Sequence, residues 1–243
     1  MSGHSKWNNI KQRKGKSDAE RSKIFTKIGR EIMVAVKEGG TNIDSNSKLK
    51  MAIAKARQYN MPNDKVNSII KKNSEVDNAN YIEQTYEGYG VGGVAVVVKC
   101  FTDNKNRTSS DVKYAFDKYG GSLGATGCVS YMFDNKGVVV VERGESFDSD
   151  AAMELAINLD AIDCEDEEVF TVYTEASAAS VNDMVKAFED AGYTILSSGV
   201  EMIPQNYSTL TDSQKETFNK MLDKLNDSDD VIDVIHNLEE DDE

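Results

Sequence analysis

The chain is poor in the residues that carry most enzyme chemistry. It has two histidines, His4 and His236, and three cysteines, Cys100, Cys128 and Cys164. The cysteines are far apart and odd in number, with no C-x-x-C pair. This is the pattern of a reducing compartment, with thiols used as small apolar residues. Neither histidine has a cysteine ligand beside it. No H-E-x-x-H, G-x-S-x-G or P-loop occurs. The reading is therefore a non-enzyme, with no catalytic residue, no metal and no cofactor. There is no N-terminal apolar h-region and no run of about 18 apolar residues, which points away from secretion and from a membrane partner. The expected location is the cytoplasm. No repeat of fixed period and no low-complexity linker breaks the sequence.

What is present is charge, unevenly spread. The 243 residues carry a net charge of -14, yet residues 1–73 hold 17 Lys and Arg against 6 Asp and Glu. That segment is at +11 and the remainder at -25. Such asymmetry suggests a basic part that meets nucleic acid and an acidic part that does not. The basic part opens on Gly3-His4-Ser5-Lys6-Trp7-Asn8-Asn9-Ile10-Lys11-Gln12-Arg13-Lys14-Gly15-Lys16, which holds the single Trp and no acidic residue. It has no apolar period of its own, so residues 1–17 are expected to form a flexible arm. Cations there can neutralise phosphates, and the ring can stack on a base.

A helical domain is expected over 18–73. Ser17 and Glu20 have capping-box spacing. Ile24, Ile28, Ile32 and Val36 make an apolar stripe, with Lys23, Lys27, Arg30 and Lys37 on the opposite arc. Gly39-Gly40 ends this helix. A second helix turns Leu49, Ala52, Ile53 and Ala56 inward, and a third carries Val66, Ile69 and Ile70. Together they predict a three-helix bundle, with a polar linker over Asn73 to Asn80.

From Tyr81 the period changes to that of strands. Ile82, Gln84 and Tyr86 alternate with Glu83, Thr85 and Glu87, and Val94 to Val98 is a buried β-branched run. Between them, Gly88-Tyr89-Gly90-Val91-Gly92-Gly93 matches G-x-G-x-x-G. A dinucleotide loop must open a helix, and this one opens a strand, so it reads as a hairpin. A helix around Val112 to Tyr119 and a strand at Val129 to Phe133 follow. After a turn at Asp134 to Gly137, residues 134–198 read as βαββαβ, the order of a split βαβ unit. Within it, Asp163 to Glu168 is expected to be a solvated acidic hairpin rather than a calcium loop. A strand at Val200 to Ile203, a helix capped by Thr211 and Gln214, and a strand at Val231 to His236 complete the chain. The expected fold is α/β (α+β): the bundle plus two ferredoxin-like α/β domains, one inserted in the other. The host is 81–133 with 199–243, and 134–198 is the insert.

Several segments, taken in order, resemble the YebC/PmpR family. They are Gly3-His4-Ser5-Lys6-Trp7, Lys23-Ile24-Phe25-Thr26-Lys27, Glu38-Gly39-Gly40, Asn60-Met61-Pro62, Tyr86-Glu87-Gly88-Tyr89-Gly90, Thr102-Asp103-Asn104-Lys105-Asn106-Arg107-Thr108 and His236-Asn237. The resemblance runs over nearly the whole chain. It departs from the family pattern in three places: at Thr41 to Ser47, where prolines are usual; at Val91, where proline is often found; and at Ile235, where an aromatic is usual. The resemblance implies a helical N-terminal domain and two α/β domains, one inserted in the other. It also implies a role in gene expression, as a DNA-binding transcriptional regulator or as a ribosome-associated translation factor that helps synthesis through proline-rich stretches.

The first reading is the translation factor, with ribosomal RNA and the ribosome as partners. His4, Lys6, Trp7, Lys11, Arg13, Lys14 and Lys16 of the arm and Lys23, Lys27 and Arg30 of the first helix are its expected nucleic-acid contacts. RNA is bound through shape, phosphates and stacking, which needs no base-reading helix. The alternative is a DNA-binding transcriptional regulator. For that role only Asn46, Lys48, Asn63, Lys65 and Asn67 offer base-reading chemistry.

Overall fold

The computed structural model describes residues 18–75, 81–145 and 147–239. The basic arm, the Ser17–Glu20 capping box, most of the expected linker and the acidic tail lie outside the described residues or side chains.

Three helices open the structure: α1 (Asp18–Gly39), α2 (Ser47–Gln58) and α3 (Asn63–Glu75). Ile28, Ile32, Ala35 and Val36 of α1 meet Leu49, Ala52, Ile53 and Ala56 of α2, with Met61 and Val66 beside them, all buried. The stripe read from the sequence is this core. Gly40, at φ 77°, ends α1. Asn46 then locks the α1–α2 corner. Its Oδ1 accepts from Leu49 N–H at 3.0 Å, and its Nδ2 donates to the Ala35 and Gly40 carbonyls, each at 2.7 Å. A buried Asn with every bond satisfied specifies one corner geometry.

The host domain follows. β1 (Ile82–Tyr89) and β2 (Ala95–Thr102) pair antiparallel from Ile82↔Thr102 to Tyr89↔Ala95. The glycine-rich segment is their hairpin loop, with Gly92 and Gly93 at φ 69° and 82°. Helix α4 (Lys105–Lys118) leads to β3 (Ser122–Leu123), which pairs with β1. After the insert, α7 (Asp212–Asn226), with its Thr211–Gln214 capping box, leads to β8 (Val231–His236). The sheet order is β3-β1-β2-β8. This places the hairpin at the centre, unlike the order of the insert.

The insert comprises β4 (Phe133–Val141), α5 (Ser149–Asn158), β5 (Asp163–Asp166), β6 (Phe170–Thr174), α6 (Ala178–Asp190) and β7 (Ile195–Pro204), in sheet order β5-β6-β4-β7. This is the split βαβ arrangement the sequence suggested. The strands differ in extent from that reading. Val129 to Phe133 is a loop with one turn of 3-10 helix, and only Phe133 joins a strand. Asp134 to Gly137 is strand, not turn, because β7 supplies partners from Ile203 to Val200. Those pairings outweigh the local turn chemistry. The two short strands expected near 195 and 201 are one strand, so the chain returns to the host after Pro204 rather than at 199. The acidic hairpin has protein partners. Tyr173 donates to Glu165 at 3.0 Å and Arg143 pairs with Asp166 at 3.2 Å.

At the end of β8, His236 meets Phe218 edge-on at 5.2 Å. Its Nδ1 is buried without a hydrogen-bond partner among the described residues. Burial pushes its pKa down to about 4. The unfolded imidazole titrates near 6.5, so the unfolded chain takes up a proton that the folded chain refuses. Stability from this site is therefore complete above pH about 6.5 and is lost as the pH falls toward about 4, by about 2–3 kcal/mol. His236→Phe is expected to remove that slope, as read from urea midpoints above and below pH about 6.

Candidate nucleic-acid interface

Of the expected contact residues, Lys23, Lys27 and Arg30 lie within the described chain, and α1 turns all three toward the host domain. Lys23 Nζ reaches Asp227 at 2.5 Å, and Lys27 Nζ reaches Asn226 at 2.5 Å. Arg30 donates to the Phe101 carbonyl at 2.7 Å and to Asp230 at 3.2 Å, with its guanidinium over the Tyr81 ring. Lys37 completes the row on the Tyr81 carbonyl. Lys23 remains about half exposed, whereas the Arg30 side chain is only 15% exposed. Burial pushes the Lys27 pKa down, against the opposing pull of Asp233.

Asp230 is the centre of this seam. Its carboxylate also accepts from Arg107 at 2.7 Å, Thr108 at 2.9 Å and Thr102 at 3.1 Å. The Thr102 to Thr108 segment therefore serves to hold one carboxylate. Burial would raise the Asp230 pKa. The bonds from Arg107, Thr108 and Thr102 outweigh it and hold the group below the usual carboxylate range.

Cations facing outward lie elsewhere on the bundle. Lys50 and Arg57 on α2, and Lys65 and Lys72 on α3, are exposed. Each pair is seven residues apart, so each shares one helix face. Lys65 also lies over the Phe25 ring at 5.1 Å. The inner side of α2 is committed to the fold. Lys55 pairs with Glu31 at 2.6 Å, and Asn182 of α6 donates to the Ser47 carbonyl at 3.1 Å. The N-terminal end of α2, where a base-reading helix needs open side chains, thus rests on the insert.

A cleft of about 670 Å³ separates the bundle from β7 and β8. Lys48, Lys55 and Lys99 line it together with Glu31, Glu201 and Asp233, so it carries both signs equally. It has no preference for a polyanion. Among the described residues, no group of three His, Cys, Asp or Glu side chains could hold a metal, and no helix is long and apolar enough to cross a membrane.

A second feature was missed by sequence reasoning. The alternation in β1 groups Glu87 with Glu83 and Thr85, yet Glu87 is only 4% exposed. Its carboxylate accepts from the backbone N–H groups of Gly127 at 2.8 Å, Val129 at 3.1 Å and Ser130 at 2.8 Å. Burial raises its pKa, but these bonds lower it further, and the net shift is downward. No local signal marks this role, because the donors lie some 40 residues away in a loop.

Two family models cover the chain. The N-terminal domain of the TACO1/YebC protein matches residues 5–76, and the TACO1/YebC second and third domain matches 81–238. The chain belongs to the TACO1/YebC family. Probable transcriptional regulatory proteins of Clostridium acetobutylicum and Clostridium tetani are 49% and 50% identical to it, each over 98% of this chain and 97% of theirs. One from Acetivibrio thermocellus is 50% identical over 98% of both chains. A crystal structure of a conserved hypothetical protein from Aquifex aeolicus superposes with a TM-score of 0.79 at 37% identity, covering 93% of each chain. The TACO1/YebC domain division places its boundary between residues 76 and 81, where the helical bundle gives way to the first sheet.

Proposed function

We propose that the protein is a non-enzymatic, nucleic-acid-binding regulator of gene expression that acts as a ribosome-associated translation factor, easing synthesis through proline-rich stretches. The observation that carries the nucleic-acid part is the charge division. Arm and bundle together, residues 1–73, carry an excess of 11 positive charges, and the remainder is at -25. The arm (His4, Lys6, Trp7, Lys11, Arg13, Lys14 and Lys16) makes the primary contact in this reading, and Lys50, Arg57, Lys65 and Lys72 extend it. Arg30 is left to the seam, where its guanidinium is already held. Lys23 and Lys27 stand at the border between the two surfaces. The acidic body limits non-specific adhesion to bulk RNA.

RNA is favoured over duplex DNA on the α2 side, because α2 rests on the insert at the end that would have to enter a major groove; Asn63, Lys65 and Asn67 at the start of α3 are exposed and are what the DNA reading has left. RNA recognition through phosphates and stacking makes no such demand. A second reading, a DNA-binding transcriptional regulator, draws on the bacterial relatives being named probable transcriptional regulatory proteins.

Co-sedimentation with purified ribosomes at near-physiological salt tests the choice, with promoter DNA as competitor and a version lacking residues 1–16 alongside. Ribosome binding that needs the arm and resists DNA is the expected result. No ribosome binding, together with sequence-selective retention of DNA, sinks the translation reading.

A further inference from the structure

The loop held by Glu87 has a surface chemistry that the basic bundle lacks. Residues 124–131, Gly-Ala-Thr-Gly-Cys-Val-Ser-Tyr, carry no charged side chain. Gly124 to Gly127 are all exposed. Five of the loop's N–H groups are used internally. Glu87 takes those of Gly127, Val129 and Ser130 on its carboxylate and that of Gly124 on its backbone carbonyl, and Ala125 takes that of Cys128. By contrast, among the described residues no donor reaches the carbonyls of Gly124, Thr126 and Gly127. The exposed rim therefore offers three backbone acceptors beside the N–H groups of Ala125 and Thr126 and the Thr126 hydroxyl, all of them neutral.

At its end stands Tyr131, at 68% the most exposed large hydrophobic residue among the described residues. Its hydroxyl lies near that of Tyr89, which donates to the Cys128 carbonyl at 3.2 Å. The ring is open to solvent. Close packing fixes the loop from below. A Cβ on Gly124 would lie 2.5 Å from Cys128 Sγ, and Gly127 sits at φ 88°. A buried carboxylate that holds an exposed, neutral loop in one shape is preorganisation for a ligand, since the ordering cost is met before binding.

We infer that loop 124–131 is a recognition site for RNA, with Tyr131 as the platform for an unpaired base and the rim carbonyls as acceptors for ribose 2′-hydroxyl and base amino groups. Phosphates find no cation there, since residues 124–131 hold no Lys or Arg, which leaves them to the basic bundle. The two surfaces divide the ligand by chemistry: charge on one, ring and hydroxyl on the other. This inference rests on the nucleic-acid reading above and adds residues to it.

Fluorescence anisotropy with a labelled short single-stranded RNA, and with DNA of the same sequence, tests it on the full-length protein. Wild type is expected to prefer the RNA. Tyr131→Ala is expected to weaken RNA binding about tenfold or more, the loss of one stacked base, with an unchanged salt slope and melting temperature. Tyr131→Phe keeps the ring and recovers most of the affinity. The combined substitution of Lys50 and Arg57 by glutamate is the contrasting control, because it lowers the salt slope. If Tyr131→Ala binds RNA as wild type does while the charge variant fails, the loop inference is overturned and the nucleic-acid reading stands. If wild type binds neither RNA nor DNA, the nucleic-acid reading itself falls and takes the loop with it. If Tyr131→Ala binds free RNA normally but no longer co-sediments with ribosomes, the loop touches a protein and the RNA assignment is wrong.

Discussion

Asp230→Ala is expected to lower the unfolding free energy by about 4 kcal/mol and to loosen the bundle from the host domain. The carboxylate is only 6% exposed and meets two guanidinium groups and two hydroxyls. A buried ion pair adds modest net stability, because desolvation offsets much of the attraction. Removing one partner is different, since it strands the other charge and costs about 3–5 kcal/mol. The two arginines suffer unequally. Arg107 is 48% exposed and keeps Asp103 at 2.9 Å, so it relaxes toward water. Arg30 is 15% exposed and keeps only the Phe101 carbonyl and the Tyr81 ring. Most of the cost therefore falls on Arg30, which belongs to α1. Faster amide exchange around Ile28 to Ile32, measured with the urea midpoint, would report that coupling. Unchanged exchange there would show that the seam does not hold the bundle. A double-mutant cycle with Arg30→Met isolates the pair from the rest of the network.

The pH dependence of this site has a definite sign. The folded pKa of Asp230 lies below its unfolded value near 3.9. Its stabilisation is complete above that value and is lost as the pH falls through the folded pKa. The His236 window, from about 6.5 to about 4, lies higher. Acid unfolding is therefore expected in two stages, with His236→Phe removing the first and Asp230→Asn flattening the second.

The parts of this fold written in local pattern were legible. The α1 stripe from Ile28 to Val36, the Gly39-Gly40 stop, the Thr211–Gln214 box and the interrupted α/β order all follow from spacing. What failed depended on partners distant in sequence. Asp134 to Gly137 has turn chemistry, yet β7 pairs it into a strand. Lys23, Lys27 and Arg30 read as an outward basic arc, and nothing within α1 tells that Asp227, Asn226 and Asp230, some 200 residues later, receive them. Alternation put Glu87 with its solvent-facing neighbours, because its ligands are backbone groups of another loop. Periodicity reports which face is apolar. It does not report which polar face finds a buried counterpart.

Glu87→Ala is expected to cost about 4 kcal/mol or more, concentrated in one loop. The substitution removes three charge-assisted acceptors at once, and such bonds contribute about 1.5–3 kcal/mol each. The Val129 N–H lies on a fully buried residue and has no water to turn to. Glu87→Gln separates shape from charge. It preserves volume but replaces one acceptor oxygen with an NH2 group facing backbone N–H donors, so it recovers little. The sign of the acid dependence follows from the lowered pKa. The loop is held above the unfolded value near 4.3 and released as the pH falls through the folded one. Two readouts identify the mechanism. Amide exchange at Gly127, Val129 and Ser130 should accelerate in the variant at neutral pH, while exchange in the insert strands β5 and β6 stays slow. RNA affinity should fall together with the preference for RNA over DNA, since the rim carbonyls lose their fixed positions. A Glu87→Gln protein with fast loop exchange and unaltered RNA preference would show that the carboxylate serves the fold alone. Loss of both would make Glu87 the positioning residue behind Tyr131.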